Sequence, residues 1–301
     1  MAQGEGERPR RSGARSGEEL RLSLAALSLL TACAAPVVRG TAPVRLWFGG
    51  DVHLGDRALP RLPVFGAGVV NLEGPVGPGP FTPERLMNAS VSSLPDAGVR
   101  VAWVENNHAD DDGEAGRQRT AAALDEAGVA VAGLSVVPLS GLRVVFFGVD
   151  VSKGVFAADL TAARALGDVL VVGFHVLAPP LLLPQVDLEV AVGLALEAGA
   201  TVVVAHGSHA LARVERRGSA VVAWGLGNLQ FACPCTKERD GIVLEVELDT
   251  SGQVGPAWVV PVSAGLEGAD ATLSEQPALT FELLGSLGSA PLVVDGPRGR
   301  F

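Results

Sequence analysis

The chain has five histidines, and each follows or closes a run of apolar residues. His53 lies in FGGDVHLGD, His108 in VENNHADDDG, His175 ends VVGFH, and His206 and His209 share VVVAHGSHALARV. Acids and amides keep the same company. Asp51 stands two residues before His53, Glu73 closes VVNLEG, Asn107 precedes His108, and Asn228 ends GLGN. Imidazoles mixed with hard oxygen donors suit zinc, manganese or iron, whereas calcium prefers oxygen alone. Two such ions about 3.5 to 4 Å apart need a bridging carboxylate, and the pair activates water and holds both oxygens of an in-line phosphoryl displacement. Glu73 is the candidate bridge. A lone histidine in a turn is usually a satisfied polar residue, but five of five at the ends of apolar runs point to a shared site.

Elements of a definite kind must position these groups. The runs VRLWFGG, VRVAWVENN, LRVVFFGVD, DVLVVGFH, TVVVAHG and AVVAWGLGN are short, β-branched and almost continuously apolar, as strands covered on both faces are. Between several of them lie stretches of helical spacing that stop at Gly128 and Gly199. This alternation predicts an α/β fold with parallel pairing, in which ligands collect beyond the carboxyl ends of the strands. If the runs are neighbours, four strand ends bring all five histidines to one edge of one sheet. GIVLEVELDTSGQVGPAWVVPV reads as an antiparallel hairpin, and the pattern then fades. The expected domain is therefore 42–263, with 264–301 as a C-terminal extension.

The 301 residues, 48% of them hydrophobic, can bury one large core. A formal charge of -10 at pH 7 excludes nonspecific nucleic-acid binding, which needs a lysine and arginine surface. Residues 1–33 read as an export segment. Their apolar stretch has signal-peptide length, although Glu5, Glu7, Glu18 and Glu19 sit among the arginines before it, and LLTAC, ending at Cys33, looks like a lipobox. The expected location is the bacterial cell envelope, with Cys33 lipidated. Cys233 and Cys235 stand two apart around Pro234, a spacing that rarely reaches disulfide geometry, so a structural turn is expected there. Arg213, Arg216 and Arg217 in LARVERRGS follow His209 closely and offer either a basic patch for an acidic polymer or a solvated turn.

The segments GDVHLG, NLEGPV, NNHADDDG, EAGATVVVAHGSHAL, GLGNLQF and CTKERDGIVLEVEL occur in this order between about residues 44 and 248. In order and content the chain resembles the CapA family of capsule and poly-γ-glutamate synthesis proteins. The resemblance implies a calcineurin-like metallophosphatase fold, a four-layer αββα sandwich, with two divalent metal ions (Mn, Zn or Fe). It implies that Asp51 and His53 hold the first ion, that Glu73 bridges, and that Asn107, His175 and His206 hold the second. His209 would return to the first ion or contact substrate, and Asn228 would orient the site. His108 would be the catalytic proton donor, because an imidazole titrates near neutral pH.

The implied work is synthesis, export or trimming of an anionic polymer, with metal-dependent hydrolysis of a phosphoester-like bond and Arg213 near the substrate. Implied partners are that polymer, the membrane through the lipid anchor, and other envelope polymer-synthesis proteins. After His175 the chain reads HVLAPP, where the family usually has Trp-Gly and a nearby Glu. This departure favours the alternative of a noncatalytic envelope component that uses the same fold to bind polymer or metal. The complete histidine set favours chemistry.

Overall fold

Apolar side chains that alternate between two faces explain why the greasy runs become central strands. The computed structural model describes residues 42–177 and 185–301, so the export segment and Cys33 lie outside the described residues. Among those residues the architecture is mixed α/β, with two sheets.

The larger sheet takes β1 (Val44–His53), β2 (Ala67–Leu72), β3 (Val99–Trp103), β4 (Ala130–Val131), β11 (Asn228–Phe231), β12 (Asp240–Leu248), β13 (Val254–Ser263), β14 (Gly265–Leu266), β15 (Thr272–Leu273), β16 (Val293–Asp295) and β17 (Arg298–Arg300). Its order is β16-β17-β13-β12-β1-β2-β3-β4, with β11 on β1, β14 on β11 and β15 on β13. The smaller sheet takes β5 (Leu134–Leu139), β6 (Leu142–Asp150), β7 (Val169–His175), β8 (Val202–His206), β9 (Val214–Arg217) and β10 (Ala220–Ala223), in the order β5-β6-β7-β8-β10-β9. Parallel pairing joins β1 to β2 to β3 in the first sheet and β6 to β7 to β8 to β10 in the second. Among the described residues the helices are α1 (Gly113–Glu126), α2 (Ala157–Arg164), α3 (Val186–Glu197) and α4 (Pro277–Ser286).

In β1, Leu46 and Phe48 enter the core between the sheets, while Trp47 enters the core on the opposite face. The inner core joins Phe48, Val101 and Trp103 of the larger sheet to Val144, Phe146, Val171 and Val204 of the smaller. Leu124 of α1 packs with Val70 and Ala102 on the outer face of the larger sheet. Leu160 of α2 and Leu188 and Val192 of α3 pack with Val145, Leu170 and Val203 on the outer face of the smaller. Each of these larger side chains gains about 1.5 to 3 kcal/mol from leaving water.

Two expectations change here. The strand ends that carry the site belong to two sheets, because β1 to β3 pair with one another and not with β6 to β8. The segment after Ser263 is no loose appendage to the core. It supplies β14 to β17 and α4, Leu284 enters the inner core, and buried Glu245 accepts hydrogen bonds from Arg298 Nε and the Phe65 N–H, both at 3.0 Å. Among the described residues no helix is long and apolar enough to cross a membrane.

At Gly50 the backbone of β1 passes so close to Gly227 that a methyl group would collide with the Gly227 carbonyl oxygen, which also accepts the Asp51 N–H at 3.1 Å. We expect Gly50→Ala to cost about 3 kcal/mol. Gly193→Ala, in α3 with no neighbour near the added carbon, should instead stabilise by about 0.5 to 1 kcal/mol. Urea denaturation of both variants, read at constant slope, measures the contrast.

Candidate metal centre

Strand register assembles the first half of the site. Asp51 on β1 is paired with Asn71 on β2 to one side and Asn228 on β11 to the other. Alternation puts Asn71 and Glu73 on one face, and Asn71 Nδ2 donates to Asp51 Oδ1 at 2.8 Å and to Glu73 Oε1 at 3.1 Å. One amide thus holds two buried carboxylates side by side. Asn88 fixes the next turn by donating to the Glu73 and Gly74 carbonyls at 2.9 and 2.8 Å.

The smaller sheet supplies the other half. His175 and His206 are register partners at the ends of β7 and β8. The chain then turns at Gly207, whose N–H points at both Asp51 oxygens, 3.0 Å from each. Gly207 has φ +93°, and a Cβ there would collide with the His175 ring, so AHGSH requires glycine. His209 follows with φ +57°, a left-handed conformation uncommon for a non-glycine residue. Its Nδ1–H lies 2.9 Å from Asn228 Oδ1 and 3.2 Å from Asp51 Oδ2.

Asp51, Glu73 and His209 consequently form a group that could hold a metal ion, with one ligand atom from each lying within 4.8 Å of the others. Their electrostatics without a cation are those of an ion pair beside a neutral acid. Burial pushes Asp51 up, but the His209 hydrogen bond and the charges of His209, His206 and His175 outweigh it and hold the carboxyl well below the usual range. Burial pulls His209 down, yet the Asp51 hydrogen bond and the Glu73 and Asp51 charges raise it to about 9. Burial, with the Asp51 charge added, pushes Glu73 up to about 8.

Beside this group, His175 Nε2 donates to Asn107 Oδ1 at 2.7 Å. That leaves His175 Nδ1 as the acceptor for His206 Nδ1–H at 3.2 Å, so His206 Nε2 carries a bare lone pair. Burial lowers His175 to about 4 and His206 to about 3, keeping both rings neutral. Glu73 Oε2 and His206 Nε2 are both buried without a hydrogen-bond partner, which native proteins rarely tolerate. Glu73, which carries the first of these atoms, belongs to the group that could hold a metal ion, whereas His206 lies outside that group.

Other expected residues fall differently. His53 is fully buried, but its Nδ1 accepts the Cys233 N–H at 3.2 Å and its Nε2 donates to the Met87 carbonyl at 3.0 Å. Both nitrogens are committed to backbone, burial lowers the ring to about 4, and His53 stands outside the Asp51–Glu73–His209 group. Arg213 lies over the Trp224 ring at 4.7 Å and pairs with Glu215 at 3.4 Å and Glu189 at 3.8 Å. Arg217 covers the same indole at 4.9 Å, and Arg216 bonds the Gly255 carbonyl at 2.6 Å, so the three arginines of LARVERRGS are occupied within the fold.

His108 Nδ1–H donates to Asp111 Oδ2 at 2.7 Å, and Asp111 also accepts the Leu86 N–H at 2.6 Å. Asn106 pins its loop by donating to the Leu72 carbonyl at 2.8 Å. Sequence reasoning missed Asn71 and Asp111, for which the available signal was spacing, one two residues before Glu73 on a strand and the other three residues after His108. Cys233 and Cys235 correct an expectation outright. The turn at Pro234 brings their Cα atoms to 5.3 Å, within the disulfide range, and the two sulfurs are joined.

A family model described as bacterial capsule synthesis protein PGA_cap matches residues 53–149 and 140–232, more than half of the chain. Among solved structures, a hypothetical protein from Thermus thermophilus is similar at 12% identity and TM-score 0.47, over 72% of this chain and 98% of that one. No curated protein matches. The matched span carries Glu73, His108, His175, His206 and His209, and the chain belongs to the bacterial capsule synthesis protein family PGA_cap.

Proposed function

We propose that this protein is a metal-dependent hydrolase of the bacterial envelope, acting on a phosphoester-like or related bond during synthesis, export or trimming of an anionic capsule-type polymer. The observation that carries this reading is the convergence of Asp51, Glu73 and His209, one ligand atom from each lying within 4.8 Å of the others. Asp51, Glu73 and His209 would hold one divalent ion, and the unpartnered His206 Nε2 offers one donor toward a second, for which His175 and Asn107 would have to give up their mutual hydrogen bond. Manganese, zinc and iron suit these ligands. An ion bound here would supply Lewis-acid activation of water and polarisation of the phosphoryl oxygen.

The chain's own groups do the rest. Asn71 keeps both carboxylates in place, and Gly207 and Asn228 fix Asp51 and His209. Asp111 holds His108 by Nδ1, leaving Nε2 as the atom from which a protonated ring passes its proton to the leaving oxygen. The helices outside two facing sheets fit the four-layer αββα arrangement of calcineurin-like metallophosphatases. The export segment would place the protein outside the cytoplasm, anchored at a lipidated Cys33.

The LARVERRGS arginines offer little to a polymer in either reading, since Arg213, Arg216 and Arg217 are held by Trp224, Glu215 and backbone carbonyls. The test is hydrolysis of bis(p-nitrophenyl) phosphate by the purified protein. We expect turnover that chelator abolishes and manganese restores. Turnover that chelator leaves untouched would overturn the metal role, and none with any of the three metals would overturn the hydrolase reading.

A further inference from the structure

The Cys233–Cys235 bond occupies an unusual position for a structural staple. A bond between residues two apart closes one of the shortest loops possible and so removes little freedom from the unfolded chain. Its surroundings point instead to the candidate metal centre. The Cys233 N–H donates to His53 Nδ1 at 3.2 Å, and the Cys233 side chain is buried with Leu86, Phe231 and Leu266. Phe231 in turn packs against the His209 ring, with centroids 4.8 Å apart. On the other side of the bond, Thr236 Oγ1 and the Glu238 carbonyl accept from Asn228 Nδ2 at 3.3 and 3.0 Å, and Asn228 Oδ1 accepts from His209. The disulfide corner therefore reaches His209 by two routes.

The two sulfurs also differ in access. Cys233 is buried at 1% exposure, whereas Cys235 lies on the exposed side of the turn with exposed Lys237 two residues on. Access decides which of the two sulfurs an external thiolate reaches.

We propose that Cys233–Cys235 is a redox-active site that an external dithiol opens at Cys235, and that its state sets how firmly His209 is held. One thiolate of the dithiol attacks Cys235 Sγ, the Sγ–Sγ bond breaks, and its electron pair passes to Cys233 Sγ, which takes a proton. The second thiol then attacks the dithiol's own bridging sulfur, releasing Cys235 as a thiol. Two electrons and two protons enter the protein, and the dithiol leaves as a disulfide. Reduction frees the turn carrying Thr236 and Glu238, so Asn228 loses its anchors and His209 its brace. The effect on metal affinity rests on the function proposed above, but the loosening does not.

The experiment uses the full, metal-free chain, oxidised or treated with dithiothreitol and desalted. Alkylation with peptide mapping should find Cys233 and Cys235 blocked before reduction and labelled after it, Cys235 first. Hydrogen exchange should show lost protection in the peptides around His209 and Asn228 on reduction. Cys233→Ser/Cys235→Ser should show the reduced pattern with no response to dithiothreitol. Manganese binding should weaken about tenfold on reduction, as loss of a ligand's supporting partner does. Free thiols at both positions before reduction, or unchanged exchange after it, would overturn the proposal, and so would equal manganese affinity in the two forms. Lost protection with no manganese binding in either form would support the redox coupling and overturn the metal reading instead.

Discussion

Glu73→Gln should abolish tight metal binding and, in the metal-free protein, raise stability at alkaline pH. Gln keeps the shape of Glu73 and its contact with Asn71 but removes a carboxylate that burial and Asp51 hold protonated up to about pH 8. The folded pKa lies above the ordinary 4.5, so the folded state binds that proton more tightly than the unfolded state. Its contribution falls as pH rises from about 4.5 through 8, and above that range the wild type carries the full cost of ionising a buried acid. Thermal melts of wild type and variant should diverge across this window, with a stability difference of a few kcal/mol in favour of the variant at its upper end.

Metal binding carries the opposite sign. Affinity should fall by more than the roughly 10- to 100-fold that loss of an outer partner costs. The proton count is a second readout. At pH 7 both Glu73, near 8, and His209, near 9, are protonated, so each gives up one proton when it becomes a ligand. The wild type should release about two protons per ion and Glu73→Gln about one, measured by calorimetry in buffers of different ionisation enthalpy.

His108→Ala should lower turnover of the phosphodiester by about 10²- to 10⁴-fold while leaving metal content unchanged. The separation follows from position, because His108 is bonded to Asp111 and lies outside the Asp51–Glu73–His209 group. Asp111→Asn should give a smaller loss in the same direction, since the ring stays but its Nδ1 partner no longer carries a charge. The assay is steady-state turnover beside metal analysis of the same preparations. Activity retained in His108→Ala would remove His108 from the chemistry, and metal lost along with activity would recast it as a ligand.

The sequence showed which side chains converge better than it showed what each one touches. His175, His206 and His209 follow or close apolar runs, and a strand buried on both faces must deliver its terminal residue to the sheet edge, so their convergence was legible. Which sheet each strand joins was not, since hydrogen-bond pairing depends on neighbours far along the chain. His53 shows the same limit. Its spacing from Asp51 suits a ligand, but only the fold brings the Met87 carbonyl and Cys233 N–H to its two nitrogens. Arg213 and Arg217 looked like a basic surface because nothing nearby in sequence announces that Trp224 lies beneath both. The strands after Ser263 are two or three residues each, too short for any period to register.

Metal content of the purified full chain, loaded with manganese or zinc, desalted and analysed by mass spectrometry beside Asp51→Asn, separates a metal centre from a buried ion pair. At least one tightly held ion per chain is expected in the wild type, with that ion lost in the variant. A wild type that holds no more metal than the variant would contradict the metal centre, and would leave Asp51, Glu73 and His209 as a buried ion pair with a neutral acid beside it.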